Sequence, residues 1–280
     1  MNPVPDLALP DGTRVARLGL GTWHMGERRA SRAAEVAALQ LGIELGMGLV
    51  DTAEMYGEGG AEEVVAEAIR GRRDRVFLVS KFYPHNASRR RLRAACEASL
   101  GRLGVESIDL YLLHWRGDVP FAETVAELER LVDRGLVRRW GVSNFDVADL
   151  EALAAVAGGT RLATNQVLYN LARRGVEHDL LAWCRERRIP TMAYSPIEQC
   201  RILAHAALGA VAKRLRATPA QVALAWCLRQ PDVLVIPKAS NAAHVRENRA
   251  AASLALDAEA LAALDRAFPP PRAKRPLEML

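Results

Sequence analysis

Four residues in this chain could handle a proton together: Asp51, Tyr56, Lys81 and His114. A free phenol ionises at a pH of about 10. An ammonium beside it favours the phenolate, lowers that value and makes the phenol a better acid. A carboxylate keeps the ammonium charged and in place, and an imidazole can donate a hydrogen bond that orients a carbonyl oxygen. Such a set can protonate an oxyanion formed by hydride attack. Lysine usage points the same way. The chain holds 38 lysines and arginines, of which only Lys81, Lys213, Lys238 and Lys274 are lysine. Two of these, Lys81 and Lys238, stand where apolar runs end. An amine there implies a need for a compact charge or a shiftable pKa, which arginine cannot supply.

These residues must be positioned by a repeating framework. Short apolar runs at 18–20, 49–50, 76–79, 108–113, 137–142, 162–165, 191–194 and 233–236 alternate with helical stretches at 32–45, 61–69, 89–103, 121–134, 147–157, 175–187 and 219–229. Ser88 is placed to cap the third helix, and Thr218 precedes Pro219 as a cap before a first-turn proline. Strict alternation predicts a parallel sheet with helical crossovers, and eight repeats predict closure into a (β/α)₈ TIM barrel. Ahead of it, residues 7–9 and 14–16 flank the turn Pro10-Asp11-Gly12, which predicts an N-terminal β-hairpin cap. Residues 258–268 predict an extra C-terminal helix. No linker or composition shift divides residues 1–280, so a single domain is expected. Only the ends, 1–5 and 269–280, read like disordered tails.

In such a barrel the active site lies at the C-terminal ends of the strands. There the runs stop in turn on Asp51, Ser80-Lys81, His114, Ser143-Asn144, Asn165-Gln166, Tyr194-Ser195 and Lys238. Asp51 and Lys81 would end neighbouring strands as a partly buried ion pair, with Tyr56 folded back over the rim by the loop 52–57. A bare Asp–Lys pair is as compatible with structure as with catalysis. Adding Tyr56 and His114, in order, favours catalysis. Trp23 and Trp115, just past strands one and four, read as walls of a substrate pocket. His24 and His85 read as solvated loop residues.

Composition excludes several classes. Half of the residues are hydrophobic, 25% are charged and the net charge is +5. The basic residues are scattered without interleaved aromatics, so nucleic acid is not an expected partner. The mild positive balance suits a phosphorylated small molecule. Cys96, Cys184, Cys200 and Cys227 form no C-x-x-C pair and read as buried or incidental thiols of a reducing compartment. No leader pattern or membrane-length apolar run occurs, so a cytoplasmic protein away from membranes is expected. No histidine pair has metal-ligand spacing, so no metal is expected and a metal-dependent barrel hydrolase is excluded. Gly19-Leu20-Gly21 lacks the third glycine of a dinucleotide fingerprint, and there is no P-loop.

The run from Gly48 to Gly57 (GLVDTAEMYG) resembles the first signature of the aldo-keto reductase family. The run from Ile108 to Trp115 (IDLYLLHW) resembles the second, and Ile236 to Asn241 (IPKASN) with Glu247 and Asn248 resembles the third. GVSNF at 141–145 and Asn165-Gln166 also fit, so the resemblance covers nearly the whole chain in order. It implies reduction of a small-molecule aldehyde or ketone with NADPH, bound extended across the rim without a Rossmann fold. The family's tetrad falls on Asp51, Tyr56, Lys81 and His114, with Tyr56 as the acid. Ser143, Asn144 and Gln166 would hold the carboxamide, and Tyr194 would stack on the nicotinamide. Ser195, Ile197 and Leu203 would follow the pyrophosphate. Ile236 would line the cofactor groove, Lys238, Ser240 and Asn241 would meet the 2′-phosphate, and Glu247 and Asn248 would lie near the adenine.

One departure concerns His244, where many NADPH-using relatives carry arginine. A mostly neutral imidazole grips phosphate less firmly, so a weaker preference for NADPH over NADH is expected. The short connection 115–120 and the short tail imply a shallow, open pocket. They resemble short-loop bacterial members that reduce methylglyoxal and related small aldehydes. A monomer is the family's usual state. The family also implies an alternative, a regulatory or structural protein that binds NADPH with little turnover. The intact tetrad favours the reductase.

Overall fold

A computed structural model describes residues 3–280. Strands β1 (Asp6–Ala8) and β2 (Arg14–Ala16) form the antiparallel hairpin. Eight parallel strands follow: β3 (Leu20–Gly21), β4 (Leu49–Asp51), β5 (Phe77–Phe82), β6 (Leu110–Leu113), β7 (Trp140–Ser143), β8 (Asn165–Leu168), β9 (Thr191–Tyr194) and β10 (Val233–Val235). They pair in sequence order, and parallel bridges Leu18–Val235 and Gly21–Lys238 join the last strand to the first and close the barrel. The predicted (β/α)₈ fold and hairpin are therefore present.

Alternation of side chains decides which residues face inward. Leu49, Val79, Leu110, Leu112, Met192 and Leu234 fill the barrel interior, and Leu7, Leu9 and Val15 of the hairpin pack on them from below. The larger cluster lies between the strands and the outer helices α1 (Arg32–Glu44), α2 (Gly60–Ile69), α3 (Arg89–Leu103), α4 (Phe121–Asp133), α5 (Val147–Ala154) and α6 (Leu180–Glu186). The ring is completed by α7 (Ala206–Arg214), α8 (Pro219–Leu228), α9 (Ala242–Ala250) and α10 (Ala258–Ala267). Helices α7 and α9 were not expected from the apolar pattern.

Thr218 forms a full capping box with Gln221 at the start of α8. Ser88 occupies the cap position of α3 but makes no side-chain cap bond, and the Arg89 amide instead donates to Glu123 Oε1 at 2.9 Å. The tail reading is also corrected. Residues 269–280 lie on the barrel, tied by ion pairs from Lys274 to Asp179 at 3.0 Å and from Arg173 to Glu278 at 2.6 Å. Among the described residues, no helix is long and apolar enough to cross a membrane, and no cluster of His, Cys, Asp and Glu could hold a metal.

Candidate active site

Lys81 is on β5 beside β4, which ends at Asp51, and both side chains are buried. Sequence reasoning expected a partly buried pair, but Lys81 has no exposed surface. An ammonium has three donors and no acceptor. Lys81 Nζ donates to Asp51 Oδ2 at 2.8 Å, to the Thr52 carbonyl at 2.9 Å and to Tyr56 Oη at 3.1 Å. All three hydrogens are committed. Tyr56 Oη therefore accepts from Lys81, and its own hydrogen is free to be donated elsewhere.

The loop that carries Tyr56 is fixed from two sides. Glu54 Oε1 accepts from the Tyr83 amide at 2.7 Å and from Asn86 Nδ2 at 2.9 Å. Gly26, at φ +75°, lets the Trp23 loop touch the Tyr56 loop: a Cβ on it would lie 2.2 Å from the Gly60 carbonyl carbon. Thr22 Oγ1 donates to the Asp51 carbonyl at 2.9 Å, which ties β3 to β4 beside the ion pair.

Electrostatics correct one expectation. Burial raises the Tyr56 pKa above its ordinary value, and the lowering by Lys81 does not overcome it, with Asp51 adding to the rise. Tyr56 is thus a phenol throughout the neutral range rather than a partly ionised group. Burial works against the Lys81 charge, but Asp51 and Tyr56 outweigh it and the pKa is raised. His114 is held far below the ordinary histidine range, first by burial and then by the Lys81 charge. Among the described residues its buried Nδ1 has no hydrogen-bond partner. A proton there would be stranded, so the hydrogen belongs on Nε2, where it can be donated. The His114 ring meets Tyr56 edge-on at 5.8 Å and Trp115 at 5.0 Å.

A cleft of about 560 Å³ opens above these groups. It brings together Trp23, Asp51, Tyr56, His114, Trp115, Ser143, Asn144, Gln166, Tyr194, Ser195, Ile197, Ile236 and Lys238. Lys81 stands behind Tyr56 and does not line it. Asn144 Nδ2 donates to the His114 carbonyl and to Ser143 Oγ, both at 3.1 Å, and Tyr194 Oη donates to Asn144 Oδ1 at 3.0 Å. Leu203, Ser240, Asn241, His244, Glu247 and Asn248 lie outside this lining. Asn241 caps α9 by accepting from the His244 amide at 2.9 Å, and Asn248 is buried.

The structure adds residues that the sequence reading passed over. Met55, Gln199, Cys200, Met279 and Leu280 also line the cleft. His24 lines it too, although it is exposed and paired with Glu27 at 2.6 Å. The tail therefore walls a pocket that the short loops had suggested would be open. Cys96, Cys184 and Cys227 are buried thiols, whereas Cys200 is exposed. After β9, Ser195, Glu198, Gln199 and Cys200 all have left-handed φ values, between 47° and 70°. Such backbone is costly for residues with a Cβ and persists only when its surroundings impose it. Buried Glu198 supplies that constraint, accepting from Asn170 Nδ2 at 2.8 Å and from Arg173 and Arg201 at 3.0 Å each.

Known proteins are similar to this chain in sequence and shape. The profile of the Aldo/keto reductase family matches residues 17–268. The chain is 49% identical to methylglyoxal reductase YeaE of Escherichia coli over 98% of this chain and 96% of that protein. An aldo/keto reductase from Klebsiella pneumoniae, solved with NADP and acetate, superposes with a TM-score of 0.96 at 51% identity, covering 98% of this chain and 99% of that one. A second structure from that organism, with NADPH, gives a TM-score of 0.97 at 50% identity over the full length of both chains. With the closed barrel and the Asp-Tyr-Lys-His set at its rim, these similarities place the chain in the aldo/keto reductase family.

Proposed function

We propose that the protein reduces aldehydes or ketones to alcohols with NADPH, Tyr56 acting as the general acid. The observation that carries this reading is the threefold donation of Lys81, which leaves the Tyr56 hydrogen available at the cleft. NADPH supplies a hydride from its nicotinamide. The chain's own groups fit such a cofactor. Ser143, Asn144 and Gln166 offer polar atoms at the inner end of the cleft, where a carboxamide needs partners, and Lys238 stands on the same cleft as a cation for a phosphate. Tyr194 and Ile236 give apolar surface beside them, while Ser195 and Ile197 lie on the constrained segment after β9. Ser240 and the first turn of α9, capped by Asn241, follow Lys238 and suit the 2′-phosphate. Leu203, His244 and Glu247 lie beyond the cleft lining and would meet the pyrophosphate and adenosine parts of the cofactor, whereas Asn248 is buried and would act from beneath.

In the reduction, His114 Nε2–H and Tyr56 O–H both address the carbonyl oxygen. His114 orients the oxygen and remains neutral. Tyr56 gives up its proton as negative charge develops, and the Lys81 ammonium, 3.1 Å away, stabilises the phenolate left behind. Asp51 holds that ammonium in place. Trp23 and Trp115 shield the substrate carbon from water.

Small aldehydes are the proposed substrates, methylglyoxal among them, since the relative at 49% identity is named for that reaction. Steady-state oxidation of NADPH and NADH with a panel of aldehydes and ketones tests the proposal. Turnover of methylglyoxal and other small aldehydes with NADPH is expected, and absence of turnover with every carbonyl would overturn it.

A further inference from the structure

The Asp51 carboxylate has two oxygens, and only one serves Lys81. Gln166 Nε2 donates to the other, Oδ1, at 2.8 Å. Gln166 stands on β8 and Asp51 on β4, four strands apart either way around the eight-stranded ring. The bond therefore spans the mouth of the barrel between opposed strands and links residues 115 positions apart. Both side chains are buried, with 1% and 2% of their surface exposed.

The orientation of the Gln166 amide follows from chemistry. An ionised carboxylate only accepts, so the amide must turn its nitrogen toward Asp51. The same nitrogen also lies 2.8 Å from Met192 Sδ, on the neighbouring strand. Its nitrogen is thus engaged within the protein, which leaves Oε1 as the Gln166 atom to offer a group in the cleft that the residue lines. We propose that Gln166 is a positioning residue of the catalytic set: it fixes the Asp51 carboxylate from across the barrel and, through it, the Lys81 ammonium behind Tyr56. This rests on the reductase reading and adds to it, because Gln166 then connects the nicotinamide end of the cleft to the proton donor. Oε1 remains for the carboxamide, Nε2 holds Asp51, Asp51 holds Lys81 and Lys81 holds the Tyr56 oxygen. A hydrogen bond to a buried carboxylate matters here, because that carboxylate would otherwise be free to rotate away from its single cation.

Gln166→Glu separates this role from a simple cofactor contact. The introduced carboxyl keeps an acceptor toward the cleft. When ionised it repels Asp51, and when protonated it can again donate to Oδ1. Turnover at saturating NADPH should therefore approach the wild-type value near pH 5 and fall at least tenfold below it by pH 9. A residue that served only the carboxamide would show the opposite trend or none, since its acceptor improves on ionisation, and that result overturns the proposal. Gln166→Met, which has no donor, should lose about ten- to a hundredfold in kcat at all pH values, the worth of one hydrogen bond to a charged group. In an Asp51→Ala background Gln166→Glu, which keeps an acceptor for the cleft, should lose its pH-dependent deficit, and a deficit that still widened with pH would contradict action through Asp51.

Thermal unfolding without cofactor gives a reading independent of turnover. The Tm deficit of Gln166→Glu should widen as pH rises from 5, because a carboxyl buried against Asp51 destabilises the folded state only when ionised. A constant deficit would show that the two side chains do not meet. A protein with no carbonyl turnover would sink the reductase reading, while this melting series, compared with Gln166→Glu in an Asp51→Asn background to separate repulsion by Asp51 from burial alone, would still report the Gln166–Asp51 contact.

Discussion

Tyr56 Oη lies 3.1 Å from Lys81 Nζ and is the third and last acceptor of that ammonium. The contact does more to direct the phenol's hydrogen and to stabilise its departure than to acidify the resting protein, because burial keeps Tyr56 protonated. Tyr56→Phe should therefore remove most carbonyl reduction, about 10²–10⁴-fold, the usual loss for a positioned general acid. NADPH binding, measured by tryptophan fluorescence quenching, should stay within a few-fold of wild type. Near-normal turnover would rule out Tyr56 as the acid.

Lys81→Arg keeps the charge and should still be severely impaired. The ammonium occupies a site with no exposed surface, between three acceptors 2.8–3.1 Å away. A planar guanidinium is larger and cannot direct its donors to the same three points. Turnover and the pH–rate profile check this. Unchanged values for both would mean that charge alone matters at this position.

The pH dependence follows from His114. Its pKa is lowered, first by burial and then by Lys81, so the imidazole is neutral across the working range. The profile of kcat/KM for the aldehyde should therefore have no acid limb from His114 between about pH 5 and 8, where an ordinary histidine titrates. His114→Gln should lower kcat/KM without changing the shape of the profile. An inflection near the ordinary histidine pKa that vanished in this variant would refute the assignment.

Cofactor choice should depend on Lys238. NADPH should bind more tightly than NADH, and Lys238→Met should weaken NADPH binding about ten- to a hundredfold while hardly changing NADH binding, one charged contact being lost. His244→Arg should tighten NADPH binding, because a guanidinium is a fixed charge whose paired donors match a phosphate. Dissociation constants for both cofactors across the three proteins measure this. Equal affinity of the wild type for NADH and NADPH would overturn the preference.

The rim was legible in the sequence because its residues stand at the ends of local apolar runs. Asp51, Lys81 and His114 needed only the strand register, and Tyr56 only a short loop. Residues 206–214 and 242–250 were missed for two different reasons. Helix α7 is an extra element between β9 and α8, where one helix per repeat was expected. Helix α9 buries only Val245, Asn248 and Arg249, so it shows almost no apolar stripe. The tail was misread because what holds it, Arg173 and Asp179, is distant in sequence. The Gln166–Asp51 bond is likewise invisible to local patterns, since it depends on barrel closure. The net direction of the Tyr56 shift could not be read either: spacing reveals a neighbouring charge but not the depth of burial.

The hairpin has a consequence for molecular traffic. Leu7, Leu9 and Val15 pack against the interior residues at the lower end of the barrel, while the cleft opens at the upper rim. Among the described residues the hairpin stoppers the floor of the barrel, so a molecule that reaches Tyr56 comes and leaves by the rim.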